Sequence, residues 1–153
     1  MKLILVLLLS PTATLAQDVR EQRLPFDQFK WSQPGGGSAM VPGQQTVFVV
    51  GDGRSKSLFS LVFKVPANAK IPPHSHPEER SCFVLSGTWY FGYGTERRED
   101  QLVALPAGSS YTEPAGKVHF AGTGAVETIV ECTGVGPTDT KFVNQGDDPR
   151  NRR

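Results

Sequence analysis

Histidine, cysteine, methionine and tryptophan are all scarce: three, two, two and two residues in a chain of 153. No segment shows the three- to four-residue apolar periodicity of an amphipathic helix, so an α-helical fold is not expected. Nor does any unit recur at the roughly 20- to 50-residue period that marks solenoids and propellers. An excess of charge is missing too, with 16 Lys and Arg against 15 Asp and Glu. No basic face is implied, and nothing favours DNA or RNA as a partner. The cluster Arg150-Asn151-Arg152-Arg153 reads as a solvated end.

Long apolar runs are absent except at the N-terminus. There Lys2 precedes the run Leu3 to Leu9, and Thr14-Leu15-Ala16 places small residues where a signal peptidase cleaves. The run is shorter than the roughly 20 residues a membrane-spanning helix needs. The expectation is a signal peptide over residues 1–16, a mature chain from Gln17, and a periplasmic or secreted location without membrane contact. Loss of Lys2 leaves 15 basic and 15 acidic residues, a formal charge of zero.

Glycine and proline, at 16 and 12 residues, are what the chain has in quantity. They divide it into short segments rich in β-branched and aromatic residues: Thr46 to Val50, Leu58 to Val65, Cys82 to Leu85, Thr88 to Tyr93, Leu102 to Leu105, Ser110 to Glu113, Val118 to Ala121, Val126 to Thr133 and Lys141 to Val143. Short strands at this spacing predict an all-β antiparallel sandwich or barrel. Residues 17–38 read as an N-terminal arm with a glycine-rich break, 39–145 as the domain and 146–153 as a polar tail. Thr95 to Gln101, with its charged centre, reads as a solvated loop.

Chemistry concentrates in the histidines. His74 and His76 are two residues apart, so on an extended strand both point to one face. His119 follows the turn Pro114-Ala115-Gly116, where a hairpin would fold a third imidazole toward the first two. Neutral imidazoles suit Zn, Cu, Fe and Ni.

The segment His74 to Gly87 resembles the first motif of the cupin superfamily: HxH, a glutamate, six residues and a glycine. The segment Gly108 to His119 is similar to its second motif, GxxxxxPxGxxH, at every fixed position. This resemblance implies a double-stranded β-helix, the cupin jelly-roll barrel, covering about Thr46 to Val143. It also implies one divalent transition metal (Fe, Mn, Ni, Cu or Zn) held by His74, His76 and His119 in the barrel mouth. It further implies that the strands of Cys82 and Cys132 are neighbours, so that a disulfide can join them in an oxidising compartment.

The chain departs from the family at the motif glutamate, whose position holds Arg80. Arginine stays cationic and cannot ligate a metal. Three histidines plus water is therefore the first-ranked ligand set and three histidines plus Glu79 the second. Glu78 is the other neighbouring carboxylate, and Arg80 is a candidate site for an anionic substrate. The family's trailing asparagine is likewise replaced, by Thr123. Tyr111 and Glu113 share a strand face and are candidate catalytic residues, Glu113 as general acid or base. The expected function is a small metalloenzyme of oxygenase, isomerase or lyase type acting on a small molecule. A non-catalytic module binding a metal or small ligand is the alternative. Cupins commonly dimerise, which makes a homodimer with an exchanged N-terminal arm a further expectation.

Overall fold

The computed structural model describes residues 19–35 and 40–151. The expected signal peptide and the final two arginines lie outside the described residues. Among the described residues, ten strands form two five-stranded antiparallel sheets. They are β1 (Gln45–Val50), β2 (Leu58–Val65), β3 (Lys70–Ser75), β4 (Arg80–Ser86), β5 (Thr88–Tyr93), β6 (Val103–Pro106), β7 (Ser110–Glu113), β8 (His119–Thr123), β9 (Thr128–Val135) and β10 (Lys141–Phe142). One sheet runs β1-β2-β9-β4-β7 and the other β10-β3-β8-β5-β6. Helix is confined to single 3₁₀ turns among the described residues. The chain folds as the double-stranded β-helix that the strand pattern and the resemblance predicted.

Alternation decides what faces inward. On β4, Arg80, Cys82 and Val84 are buried while Ser81, Phe83 and Leu85 are exposed. The space between the sheets is filled mainly by Phe59, Leu61, Phe63 and Val65 of β2, Ile71 of β3, Trp89 and Phe91 of β5, and Val130 of β9. Full burial of side chains of this size contributes roughly 1.5–3 kcal/mol each. Cys82 and Cys132 stand directly opposite across β4 and β9 and form a disulfide, their Cα atoms 4.1 Å apart.

The motif glycines occupy turns. Gly87 joins β4 to β5 at φ +76°, and a Cβ there would meet the Glu127 carbonyl oxygen at 2.6 Å. Gly116, at φ +69°, completes the turn between β7 and β8. That turn is not a hairpin, as the sequence had suggested. β7 pairs with β4 in one sheet, whereas β8 pairs with β3 and β5 in the other. The turn is a corner carrying the chain across the barrel, so Glu113 and His119 reach the interior from opposite walls.

One strand escaped the sequence pattern. β3 runs through Pro72-Pro73, and its register against β8 shifts between Ile71 and His74. Proline has no N–H to give the ladder, so the pairing resumes only at His74, opposite His119. Arg97 is the exception to the solvated reading of its loop. Its guanidinium folds back to donate to the Ala121 carbonyl. The N-terminal arm lies along β1 of its own barrel, where the Ser32 N–H donates to the Thr46 carbonyl at 2.9 Å and Gln22 to Val49 at 2.6 Å.

Candidate metal centre

His74 ends β3, His76 follows it and His119 begins β8; all three are buried. One ring nitrogen of each lies within 4.8 Å of those of the other two. The opposite nitrogen, Nδ1, is fixed by a backbone carbonyl in every case: Pro72 for His74 at 2.7 Å, Asp139 for His76 at 2.7 Å and Lys117 for His119 at 3.0 Å. A carbonyl only accepts, so each Nδ1 carries the proton and each Nε2 turns a lone pair inward. This is the tautomer that a metal-ligating histidine needs.

Electrostatics keep two of the rings neutral. Burial lowers His74 from the ordinary 6.5 to about 3, with His119 as the next cause. His76 is lowered further by burial and then by the Arg80 guanidinium. His119 Nε2 is buried without any hydrogen-bond partner. Three inward lone pairs, one of them orphaned, fit a divalent transition metal, since a buried acceptor left unpaired is costly.

Around the imidazoles stands a charged group that the sequence ranked differently. Glu79, expected as the second-ranked ligand, is exposed, because alternation turns it to the outer face. Glu78 is buried instead, but its Oε1 accepts from Arg80 Nε and from Thr138 Oγ1, each at 2.6 Å. Arg80 also donates from Nη2 to Thr138 and lies 5.8 Å over the Phe59 ring. Its Nη1 is 3.6 Å from Glu113 Oε2. The guanidinium is thus engaged by two carboxylates and a hydroxyl, which leaves little of it for a substrate anion.

Glu113, at the end of β7, is buried and sits 3.5 Å from both His76 Nε2 and His119 Nε2. Tyr111 shares its face and packs against Phe91, with its hydroxyl 3.8 Å from Cys132 Sγ. Burial, followed by the nearby Glu113 carboxylate, pushes the phenol well above its usual 10. Tyr111 therefore stays protonated. Thr138 had not been singled out from the sequence; it lies 60 residues from Glu78 and is joined to it only by the fold.

The histidines, Arg80 and Glu113 line a cavity of about 710 Å³, whose inner wall includes Leu61, Phe63, Ile71 and Trp89. That volume lies in the range of small-molecule sites, roughly 300–1,000 Å³. Among the described residues, no helix is long and apolar enough to cross a membrane.

Residues 61–130 match the family model described as the cupin domain. No curated protein matches the chain in sequence. Among solved structures, the polyketide cyclase RemF from Streptomyces resistomycificus is similar, with a TM-score of 0.64 at 20% identity over 85% of this chain and 90% of that one. KdgF from Halomonas sp. gives 0.58 at 18% identity, over 74% and 94% of the two chains. The DMSP lyase DddQ from Ruegeria pomeroyi DSS-3 gives 0.59 at 23% identity, over 74% and 60%. At these identities the likeness is one of fold.

Proposed function

The chain is a member of the cupin superfamily, and on that premise we propose that it is an exported small metalloenzyme holding one divalent transition metal on His74, His76 and His119. The observation that carries this reading is the convergence of the three imidazoles, each with Nδ1–H tied to a backbone carbonyl and Nε2 turned inward. A bound ion would bind substrate oxygens and stabilise developing negative charge. The chain's own residues supply the remainder. The apolar wall around Ile71 and Trp89 limits water beside the histidines, and Arg80 and Glu113 bring charge to the same cavity.

The reaction is of oxygenase, isomerase or lyase type on a small molecule admitted to the cavity. The Cys82–Cys132 disulfide is compatible with export. Metal analysis of the purified mature protein beside a His74→Ala/His119→Ala variant tests the reading. Near-stoichiometric metal is expected in the parent alone; equal content in the two proteins refutes it.

A further inference from the structure

We propose that Glu113 is a fourth ligand of this metal, delivered from β7 in place of the carboxylate whose position in the first motif Arg80 occupies. The inference rests on reading the three histidines as a metal site.

Arg80 and Glu113 are paired directly across β4 and β7. The exchange of charge at Arg80 therefore moves the carboxylate by one strand and leaves it inside the barrel. The corner after Glu113 then fixes its distance to the histidines. Gly116 N–H donates to the His76 carbonyl at 2.8 Å, and the chain enters β8 at His119 soon after.

The 3.5 Å separations of Glu113 from His76 Nε2 and His119 Nε2 are too long for charge-assisted hydrogen bonds, which span about 2.7–2.9 Å. They are close to what shared ligation demands. Two ligand atoms each about 2.1 Å from one ion lie about 3.0 Å apart at a right angle and about 3.4 Å apart at a tetrahedral one. With Nδ1 protonated, each Nε2 presents a lone pair to a carboxylate oxygen, and two acceptors facing one another repel unless a cation lies between them.

The orphaned atoms agree. Glu113 Oε2 and His119 Nε2 are both buried without a hydrogen-bond partner. The formal charge agrees too, since Glu78 and Glu113 face the single guanidinium of Arg80. One negative charge remains for a cation to balance. Glu78 Oε2 is also buried without a partner, but its Oε1 is held by Arg80 and Thr138 and Glu78 does not line the histidine cavity, while Glu79 points outward. Arg80 is a positioning residue, its Nη1 3.6 Å from the Glu113 Oε2 that faces His76.

The test uses full-length mature protein stripped of metal and titrated with cobalt(II) or zinc(II). In the wild type, zinc is expected to displace a carboxylate stretch in the infrared difference spectrum, and the Glu113→Gln variant is expected to lack that band. Glu113→Gln should still bind one cobalt, with an altered d–d spectrum and affinity weakened by at least the roughly 10-fold that loss of an outer-shell partner costs. An unchanged affinity and spectrum, or the same infrared difference in both proteins, overturns the assignment of Glu113 while leaving the histidines intact. A wild type that binds no cobalt, or a His74→Ala/His119→Ala variant that binds it equally, overturns both. If Glu113→Gln does not fold, the wild-type infrared spectrum decides alone, and no displaced carboxylate band overturns the proposal.

Discussion

Arg80 and Glu113 occupy one rung of β4 and β7, with Arg80 Nη1 3.6 Å from Glu113 Oε2 and both side chains almost completely buried. The same guanidinium also holds Glu78, so three charges share one buried wall of the barrel beside the histidines. Charges so placed are costly to separate and sensitive to any loss of balance.

Replacing Arg80 with methionine should expose that cost. Two buried carboxylates would lose their cation, and the metal-free protein is expected to lose about 3–5 kcal/mol. Urea denaturation measures it. Added zinc should restore part of the loss in proportion to its binding, because a ligand of the folded state alone stabilises it. A midpoint unchanged by the substitution would show that the network contributes nothing.

Glu78 and Glu79 should behave oppositely although they are adjacent. Glu78→Gln removes the charge that accepts from Arg80 and Thr138 and should destabilise the fold by about 1–3 kcal/mol. Glu79→Gln, on the exposed face, should stay within about 0.5 kcal/mol of the parent and leave zinc affinity unchanged. Affinity lost with Glu79 would restore it as a ligand.

The disulfide closes a loop of sequence separation 50. Chain entropy alone assigns such a cross-link about 4 kcal/mol, and a Cys82→Ala/Cys132→Ala variant should lose a comparable amount. Thermal unfolding of the variant beside the parent checks this. A mass shift of two hydrogens on reduction confirms that the bond is present in the parent.

Acid should destabilise the metal-free protein earlier than carboxylate titration alone would. His74 is lowered from 6.5 to about 3 by burial and then by His119, so between those values the unfolded chain takes up a proton that the folded chain refuses. Its contribution to stability is present above pH 6.5 and is lost as pH falls toward 3, by at most about 1.4 kcal/mol per unit for one ring. His76, lowered in the same direction, steepens the loss. Urea midpoints from pH 7 down to 4 should therefore fall, and His74→Gln should flatten the curve. A midpoint constant from pH 7 to 5 would contradict the burial of neutral rings.

Much of the barrel was legible because its signals are local. Glycine and proline punctuation separated nine of the ten strands, and Leu58–Val65, Thr88–Tyr93 and Ser110–Glu113 match to the residue. β3 was missed because Pro72-Pro73 interrupts its ladder, and it is secured by pairs on either side of the prolines, Lys70 and Ile71 with β8 and His74 with both β8 and β10. The fold positions the motif histidines together, as the HxH spacing suggested for the first two.

The carboxylates show where local reading ends. Tyr111 and Glu113 were placed on one face by alternation, but nothing in β7 itself states whether that face is inward. The choice between Glu78 and Glu79 was a choice of register, and a shift of one residue carries a side chain from the cavity to solvent. Arg80 was read as a vacated ligand position open to a substrate; its pairing with Glu113 of β7 and with Thr138, between β9 and β10, depends on segments distant in sequence.

By itself the sequence determined the strand content, the turns at Gly87 and Gly116 and the shared face of His74 and His76, since dihedral preference and period-two alternation act within a few residues. Only the tertiary structure decided that Glu113 stands opposite Arg80 and within 3.5 Å of two imidazoles. Those distances are set by how two sheets close on one another, and closure depends on strand register and on packing between residues far apart in the chain.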